Sequence, residues 1–164
     1  MHIHIIEEVL FFDNMNQALG LFIPQVLWLN LKNPKCGQLV INAREESVAD
    51  KAMFSRILRT QRCILPAEQF YEWDADKHKV MFHAVDGALL YLCGIYRYEG
   101  AIPHFVILTK SADSIMEPVH DRMPVMVGAQ DVRVWLFDAR RTQELIASNV
   151  HLNRSQPVEE LSLF

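Results

Sequence analysis

Apolar positions in this chain come in short runs broken by turn residues, with a few stretches of helical spacing between them. Residues 1 to 12 alternate loosely and become apolar at Val9-Leu10-Phe11-Phe12, which predicts a strand leading to a turn at Asp13-Asn14. Gly20-Leu21-Phe22-Ile23-Pro24 reads as a short buried strand stopped by proline, and Trp28 follows in a loop through Asn33-Pro34-Lys35-Cys36-Gly37. Leu39-Val40-Ile41 predicts a strand that delivers Asn42-Ala43-Arg44-Glu45-Glu46 at its carboxyl end. Ser47 and Asp50 have capping-box spacing for a helix to Arg59, with Phe54, Ile57 and Leu58 facing the core. Val80-Met81-Phe82-His83-Ala84 and Ala88 to Tyr96 flank Asp86-Gly87, a short hairpin signal, and Pro103 to Thr109 is a further strand. Ser111 to Glu117 reads as a short helix ended by Pro118. Gln130 to Phe137 and Arg141 to Ser148 also read as helical, and the tail from His151 carries no readable site. The middle of the chain is an antiparallel meander, so the expected fold class is α+β in a single domain, 1–164.

Composition narrows this. With 164 residues, 51% hydrophobic and 22% charged, the chain can bury one sizeable core. The net charge of −4 excludes a global positive field, so nucleic acid could be held only by a local basic face. Cys36, Cys63 and Cys93 are an odd count at irregular spacing, which fits free thiols in a reducing compartment. The opening residues lack a basic n-region and no run reaches membrane-spanning length, so a cytoplasmic protein without membrane association is expected. His2 and His4 share a strand face but have no further donors, and no zinc-type Cys pairing or Gly-rich phosphate loop follows. No metal and no cofactor are expected.

Candidate chemistry lies in three places. In Arg62-Cys63-Ile64-Leu65-Pro66-Ala67-Glu68-Gln69-Phe70-Tyr71-Glu72-Trp73, an acidic residue returns between two aromatics after an apolar run broken at Pro66. A carboxylate so flanked is desolvated and suited to proton transfer near neutral pH, which makes Glu72 a catalytic candidate. The alternative is an outward-facing strand residue between two inward aromatics. Val119-His120-Asp121-Arg122-Met123-Pro124 sets an imidazole, a carboxylate and a guanidinium in a loop stiffened by proline. His120 there is either a general acid or base, or part of a loop stitched by Asp121 to Arg122 or to His120. Lys51, Arg56 and Arg59, with Arg62 and Arg44, form the densest basic cluster, either a solvated helix face or a phosphate-tracking patch.

Asn42-Ala43-Arg44-Glu45-Glu46-Ser47-Val48, the Arg62–Trp73 stretch and His120-Asp121-Arg122-Met123-Pro124-Val125-Met126, in that order and with Ile107-Leu108-Thr109 ahead of His120, resemble the SOS-response-associated peptidase (SRAP) family of abasic-site processing proteins. The resemblance covers residues 20 to 155. It implies a sheet curled into a barrel-like form flanked by helices, and a monomer that binds single-stranded DNA containing abasic sites. It further implies that the amine and thiol of an N-terminal cysteine capture the ring-opened sugar, first as a Schiff base and then as a thiazolidine. Carried over by motif, Asn42 would position the amine or sugar, Glu72 would move protons and His120 would assist sugar opening or reversal. Arg44, Trp73, Thr109 and Arg122 would hold the phosphates or the unstacked backbone.

The chain departs from the family pattern at its start, where position 2 is His2 and the Met-Cys-Gly-Arg opening is missing. A shortened reading frame, a variant that binds DNA without cross-linking it, and a protein with another nucleophile are the competing explanations. Cys36 or Cys63 could be offered as a replacement. Neither has a free α-amine, and Cys63 in an apolar run should be a poorly ionised thiol. A cysteine peptidase, as the family name suggests, would need a Cys–His pair.

Overall fold

In a computed structural model, which describes residues 2–5, 31–32, 39–40, 42–48, 52–99 and 102–156, the apolar run around Pro66 is a single strand of 12 residues. The elements in order are β1 (His2–Ile5), β2 (Leu31–Lys32), β3 (Leu39–Val40), β4 (Asn42–Arg44), α1 (Glu45–Val48), α2 (Ala52–Thr60), β5 (Arg62–Trp73), β6 (Lys79–Ala84) and β7 (Leu90–Glu99). There follow β8 (Ile102–Ser111), β9 (Arg122–Pro124), β10 (Met126–Val127), α3 (Val132–Phe137), α4 (Thr142–Ala147) and β11 (Leu152–Ser155). The predicted strands at Val9–Phe12 and Gly20–Pro24, the turn at Asp13-Asn14, Trp28, Cys36, Asp50 and Lys51 lie outside the described residues.

Hydrogen bonding links β11, β6, β5, β7, β8 and β4 in one path, with β1 on β5, β10 on β7 and β9 on β8. The path does not close, so the sheet is barrel-like only loosely. β4 and β8 run parallel and the other pairs in this sheet are antiparallel. Ala67 pairs with both Ile5 and Leu90, and Gln69 to Tyr71 pair with both β1 and β6. A strand has two edges, so β1 occupies one edge of β5 while β6 and β7 follow each other along the other.

The predicted Asp86-Gly87 hairpin is corrected by this arrangement. The turn forms, with Gly87 at φ 71° and the Asp86 carboxylate accepting from Ala88 N–H at 3.0 Å. It does not pair β6 with β7, because β5 is long enough for both to lie end to end along one edge. The turn carries the chain out and back between them.

Apolar side chains gather on both faces of the sheet. One cluster takes Leu65 and Phe70 from β5, Phe82 from β6, Leu92 from β7, Ile107 from β8, Met126 from β10 and Leu152 from β11, with no helical residue. A cluster of that width holds together only if the sheet curls around it, so we call this the inner face. The other cluster joins Ile64, Ile95, Val106 and Leu108 to Phe54, Ile57 and Leu58 of α2, Trp135 of α3 and Ile146 of α4. The amphipathic reading of α2 is correct in its buried positions. Its start is not, because Ser47 lies inside α1 and α2 begins at Ala52.

Two buried cations fasten the helices to the sheet. Arg62, 1% exposed, donates through Nε to the Trp135 carbonyl, through Nη1 to Leu58 O at 2.9 Å and Arg59 O at 2.7 Å, and through Nη2 to Leu136 O at 2.9 Å. Those oxygens belong to the last turns of α2 and α3, which have no partners within their own helices. Burial pushes the Arg62 guanidinium's pKa down, partly countered by Asp138 and Cys93. Lys110 does the same for α4, donating to Ile146 O at 3.1 Å, to the Ser148 carbonyl and to Asn149 Oδ1 at 2.8 Å. Trp135, fully buried, donates from its indole to Cys63 O at 2.9 Å and fixes α3 to β5 a second time.

Three further expectations change. Ser111 closes β8, and the predicted helix after it is a succession of turns in which Asp113 accepts from the N–H groups of Ile115 and Met116, each at 3.0 Å. Arg122 to Pro124, expected in a loop, is a strand. The tail holds β11, whose alternation Leu152-Asn153-Arg154-Ser155 was too short to read. Replacing Arg62 with Met should cost about 3–5 kcal/mol, because several buried carbonyls lose their donor at once. Chemical denaturation measures this, and a loss below about 1 kcal/mol would show that water replaces the guanidinium.

Candidate functional site

The position of Glu72 is set by one extra residue. β1 pairs His4 with Gln69 and Ile5 with Ala67, skipping Glu68, and on the opposite edge β7 ends its pairing at Ala67 while β6 begins at Gln69. Glu68 is therefore a bulge, and it is exposed. A bulge shifts the two-residue alternation by one, so Cys63, Leu65 and Ala67 face inward before it and Phe70 faces inward after it. Glu72, two residues beyond Phe70 and paired with Val80 of the same cluster, shares that inner face and is 3% exposed. Phe70 stacks on Phe82 beside it with ring centroids 5.1 Å apart. Tyr71 and Trp73 point the other way, where Tyr71 accepts from Gln69 Nε2 at 2.6 Å and lies 3.8 Å beneath the Lys79 ammonium. The alternative of an outward Glu72 between inward aromatics is thus reversed.

Asn42 stands level with Ile107, Ile107 with Gly94, and Gly94 with Cys63, in one line across β4, β8, β7 and β5. Gly94 permits that close approach, since a Cβ there would stand 2.9 Å from Cys63 Sγ and 3.0 Å from Val106 O. In a parallel pair, residues at one level share a face, so Asn42 and Arg44 lie on the side of Ile107 and Thr109 while Ala43 joins Leu108 in the helix-covered core. Asn42 Oδ1 is buried and accepts no hydrogen bond among the described residues. Arg44 is exposed, and Thr109 is 5% exposed.

The loop after β8 closes over the same side. Met116 is fully buried in the inner cluster and Val119 packs against it, so His120 follows directly from a segment seated on the inner face. His120 Nδ1 accepts from the Arg122 backbone N–H at 3.0 Å, which leaves the ring hydrogen of the neutral imidazole on Nε2. Nδ1 also lies 3.2 Å from Asp121 Oδ1, a contact that becomes attractive on protonation. Arg122 pairs with Ser111, and its guanidinium is bidentate to the Glu46 carboxylate and donates to Thr109 O at 2.7 Å. One side chain thereby ties β9 to β8 and to α1, which directly follows Asn42 and Arg44. The Arg122 hydrogen bonds hold the Glu46 pKa below the ordinary 4.5.

Comparison with known proteins places this arrangement. A family model described as SOS response associated peptidase (SRAP) matches residues 20–163. The chain belongs to the SRAP family. It is 32% identical over 133 residues to the abasic site processing protein YobE of Bacillus subtilis (strain 168), covering 76% of this chain and 61% of that protein. It is 33% identical over 145 residues to YoaM of the same organism, also named an abasic site processing protein, covering 83% and 64%. Against YedK of Escherichia coli (strain K12), with the same description, identity is 28% over 119 residues. The chain thus spans about three fifths of the length of the curated relatives it matches. Among solved structures, a phage-related protein from Bordetella bronchiseptica superposes with a TM-score of 0.71, covering 92% of this chain and 78% of that one at 20% identity, a likeness of fold. A second protein of that organism gives 0.64 at 26% identity, covering 71% and 64%.

Within this SRAP domain, Arg44, Thr109, Arg122 and His120 meet around the β4–β8–β9 corner, and Asn42 and Glu72 share its face. Glu72 lies nine positions along β5 from Cys63, the residue level with Asn42, so any approach of the two depends on the curl of the sheet. Trp73 is not brought together with them. It is 39% exposed on the face opposite Glu72, because alternation forbids neighbours in a strand from sharing a side. Arg62 leaves the basic cluster for the helix ends. Cys63 and Cys93 are fully buried, and burial pushes both thiols well above their ordinary range, which removes them as nucleophiles.

Two residues that matter here carried no separate signal in sequence. Glu46 is read only as part of the Asn42–Val48 motif, and Glu68 looks like any surface acid in a strand. Deleting Glu68 should turn Phe70 and Glu72 outward and abolish folding, while Glu68→Ala should change stability by less than about 0.5 kcal/mol. A soluble, cooperatively melting deletion variant would refute the bulge assignment. Because the folded-state pKa of Glu46 is depressed, its pairing stabilises the protein above pH 4.5 and is lost as pH falls through the folded value. The carboxylate is half-exposed, so Glu46→Gln should cost under about 1 kcal/mol at neutral pH, shrinking to nothing in acid. A deficit that stays constant with pH would contradict this.

Proposed function

We propose that this chain binds single-stranded DNA containing abasic sites on the inner face of its sheet, with Asn42, Glu72 and His120 as the residues of the chemistry. The observation that carries the reading is the shared inner face of Asn42 and Glu72, over which the Met116–His120 turn is seated. Capture of a sugar aldehyde by an amine expels water and needs proton transfer at both stages. Glu72 is a carboxylate held away from solvent, and His120 offers a second titratable group. Asn42 Oδ1, which accepts no hydrogen bond among the described residues, suits the N–H of an attacking amine or a sugar hydroxyl. Arg44 is placed to meet a phosphate. Arg122 acts through the corner it builds, since its guanidinium already serves Glu46 and Thr109, and Trp73 has no part on this face.

The register of β1 pairs residue 2, where the family resemblance expects cysteine, with Tyr71, on the face opposite Glu72. Cys63 and Cys93 are sealed in the core, so neither supplies a thiol for a covalent step. A gel experiment with an abasic oligonucleotide separates the readings. The chain should shift the band under native conditions and lose the shift on denaturation. Arg44→Ala should weaken the native shift several-fold, with about 0.7 less dependence on log salt, as expected for one lost phosphate contact on a single strand. His2→Cys, with Met1 removed, should yield a band that survives denaturation. If Arg44→Ala binds as well as the parent and His2→Cys leaves no covalent band, the inner face is not the binding site.

A further inference from the structure

The basic cluster seen in the sequence around α2 is not absorbed by the inner face, and the fold rearranges it. Arg62 withdraws into the core, and in doing so its guanidinium draws the carbonyl ends of α2 and α3 onto one group. The Arg59 and Leu136 carbonyls are thus a guanidinium's width apart, and α2 also packs on the Ala139–Arg141 turn. The outward sides of two helices therefore adjoin. Arg56 and Arg59 are exposed on α2 at i and i+3, the spacing that puts them on one side of a helix. Arg133 is exposed on α3, its guanidinium 5.7 Å from the ring centroid of Phe137, one turn on. Phe137 is 45% exposed, although its neighbours Trp135 and Leu136 are buried.

Charge sets the region apart from the turn that follows it. Arg56, Arg59 and Arg133 form no salt bridge with a carboxylate among the described residues, whereas Arg140 is chelated by Asp138 and Arg141 by Glu144. In a chain of net charge −4, three such guanidiniums on two helices whose ends Arg62 joins, one of them over an exposed aromatic ring, are a local concentration of positive charge. A shallow groove of about 730 Å³ runs past Arg133, Phe137, Asp138 and Arg140. Guanidiniums with one exposed ring are the elements that track a phosphodiester backbone and stack a base on a single strand.

We propose that this helical face, on the side of the sheet away from Asn42 and Glu72, is a second contact surface for single-stranded nucleic acid. Arg56, Arg59 and Arg133 hold phosphates there, and Phe137 takes one unstacked base. The surface needs no abasic site and does not rest on the inner-face reading.

The test uses fluorescence anisotropy of the full chain with an oligothymidylate of about 20 nucleotides, long enough for more than one contact region. Arg59→Ala with Arg133→Ala should lower the salt slope of log affinity by about 1.4, two contacts at about 0.7 each. The matching pair of Lys substitutions should keep the slope. Phe137→Ala should weaken binding about tenfold with the slope unchanged, and Phe137→Trp should restore it, because stacking is not a charge effect. All three positions are exposed, so thermal melts should match the parent. The inference is overturned if the parent does not bind this oligonucleotide, or if the helical variants keep the parental affinity and slope. Loss on the helical variants with none on Arg44→Ala would uphold this surface and leave the inner-face reading to the abasic oligonucleotide, while loss on Arg44→Ala alone would overturn the helical surface.

Discussion

A single guanidinium holds the two halves of this molecule in relation. Arg62 is the first residue of β5 and the last one met on leaving α2, and it spends its donors on carbonyls at the ends of α2 and α3. Among the described residues no carboxylate is bonded to it, unlike the usual buried cation. The helix ends do that work, since their unbonded carbonyls carry a partial negative charge of about half a unit each. Two converging C-termini thus make a site for one cation, and the cation makes their convergence possible. Lys110 repeats the device for α4 from the middle of β8. Both anchors act on the helix-covered side and fix the strands that present the other.

The inner face then depends on alternation, which is unforgiving. A strand of 12 residues with perfect period would put Glu72 on the side of Ile64, among helices, with Trp73 turned into the inner cluster. The extra residue at Glu68 prevents that. It also coincides with the point where one edge of β5 changes partner from β7 to β6 and where β1 loses register, so all the irregularity is gathered at one level. The bulge is a re-aiming device of the kind found beside functional sites.

Much of this was legible in the chain, and the failures share a cause. The strands β6, β7 and β8, the buried side of α2 and the helices α3 and α4 follow from local pattern, because each buries one face within its own length. Asp86-Gly87 also obeyed its local preference and formed a turn. What it could not reveal was the partner of the strands it joins, which is set by the length of a third strand. Arg62 looked like surface charge because sequence shows the charge and conceals the helix ends that neutralise it. Glu72 stands out in sequence as an acid flanked by aromatics, with its facing undecided, since a bulge is invisible to a period of two. Arg122 read as a loop residue because its strand is three residues long and pairs with β8 alone.

The division of polar groups between the two faces points to where free energy has been given up. On the helical side Arg62, Lys110 and Trp135 all meet acceptors, and the gain secures the fold, although Thr142 Oγ1 is buried there with no partner among the described residues. On the inner face Asn42 keeps a buried carbonyl oxygen with no donor among the described residues, a deficit of about 1–3 kcal/mol that packing elsewhere must offset. An unfilled acceptor at the edge of a well-satisfied sheet is a poor way to stabilise a protein. It is a good way to favour a ligand, because a donor arriving there recovers the deficit on binding. Beside it the two Nη groups of Arg122 are tied to Glu46 and to Thr109 O, which fixes that side chain in place. A vacant group can discriminate only if its neighbours are too rigid to turn and fill it.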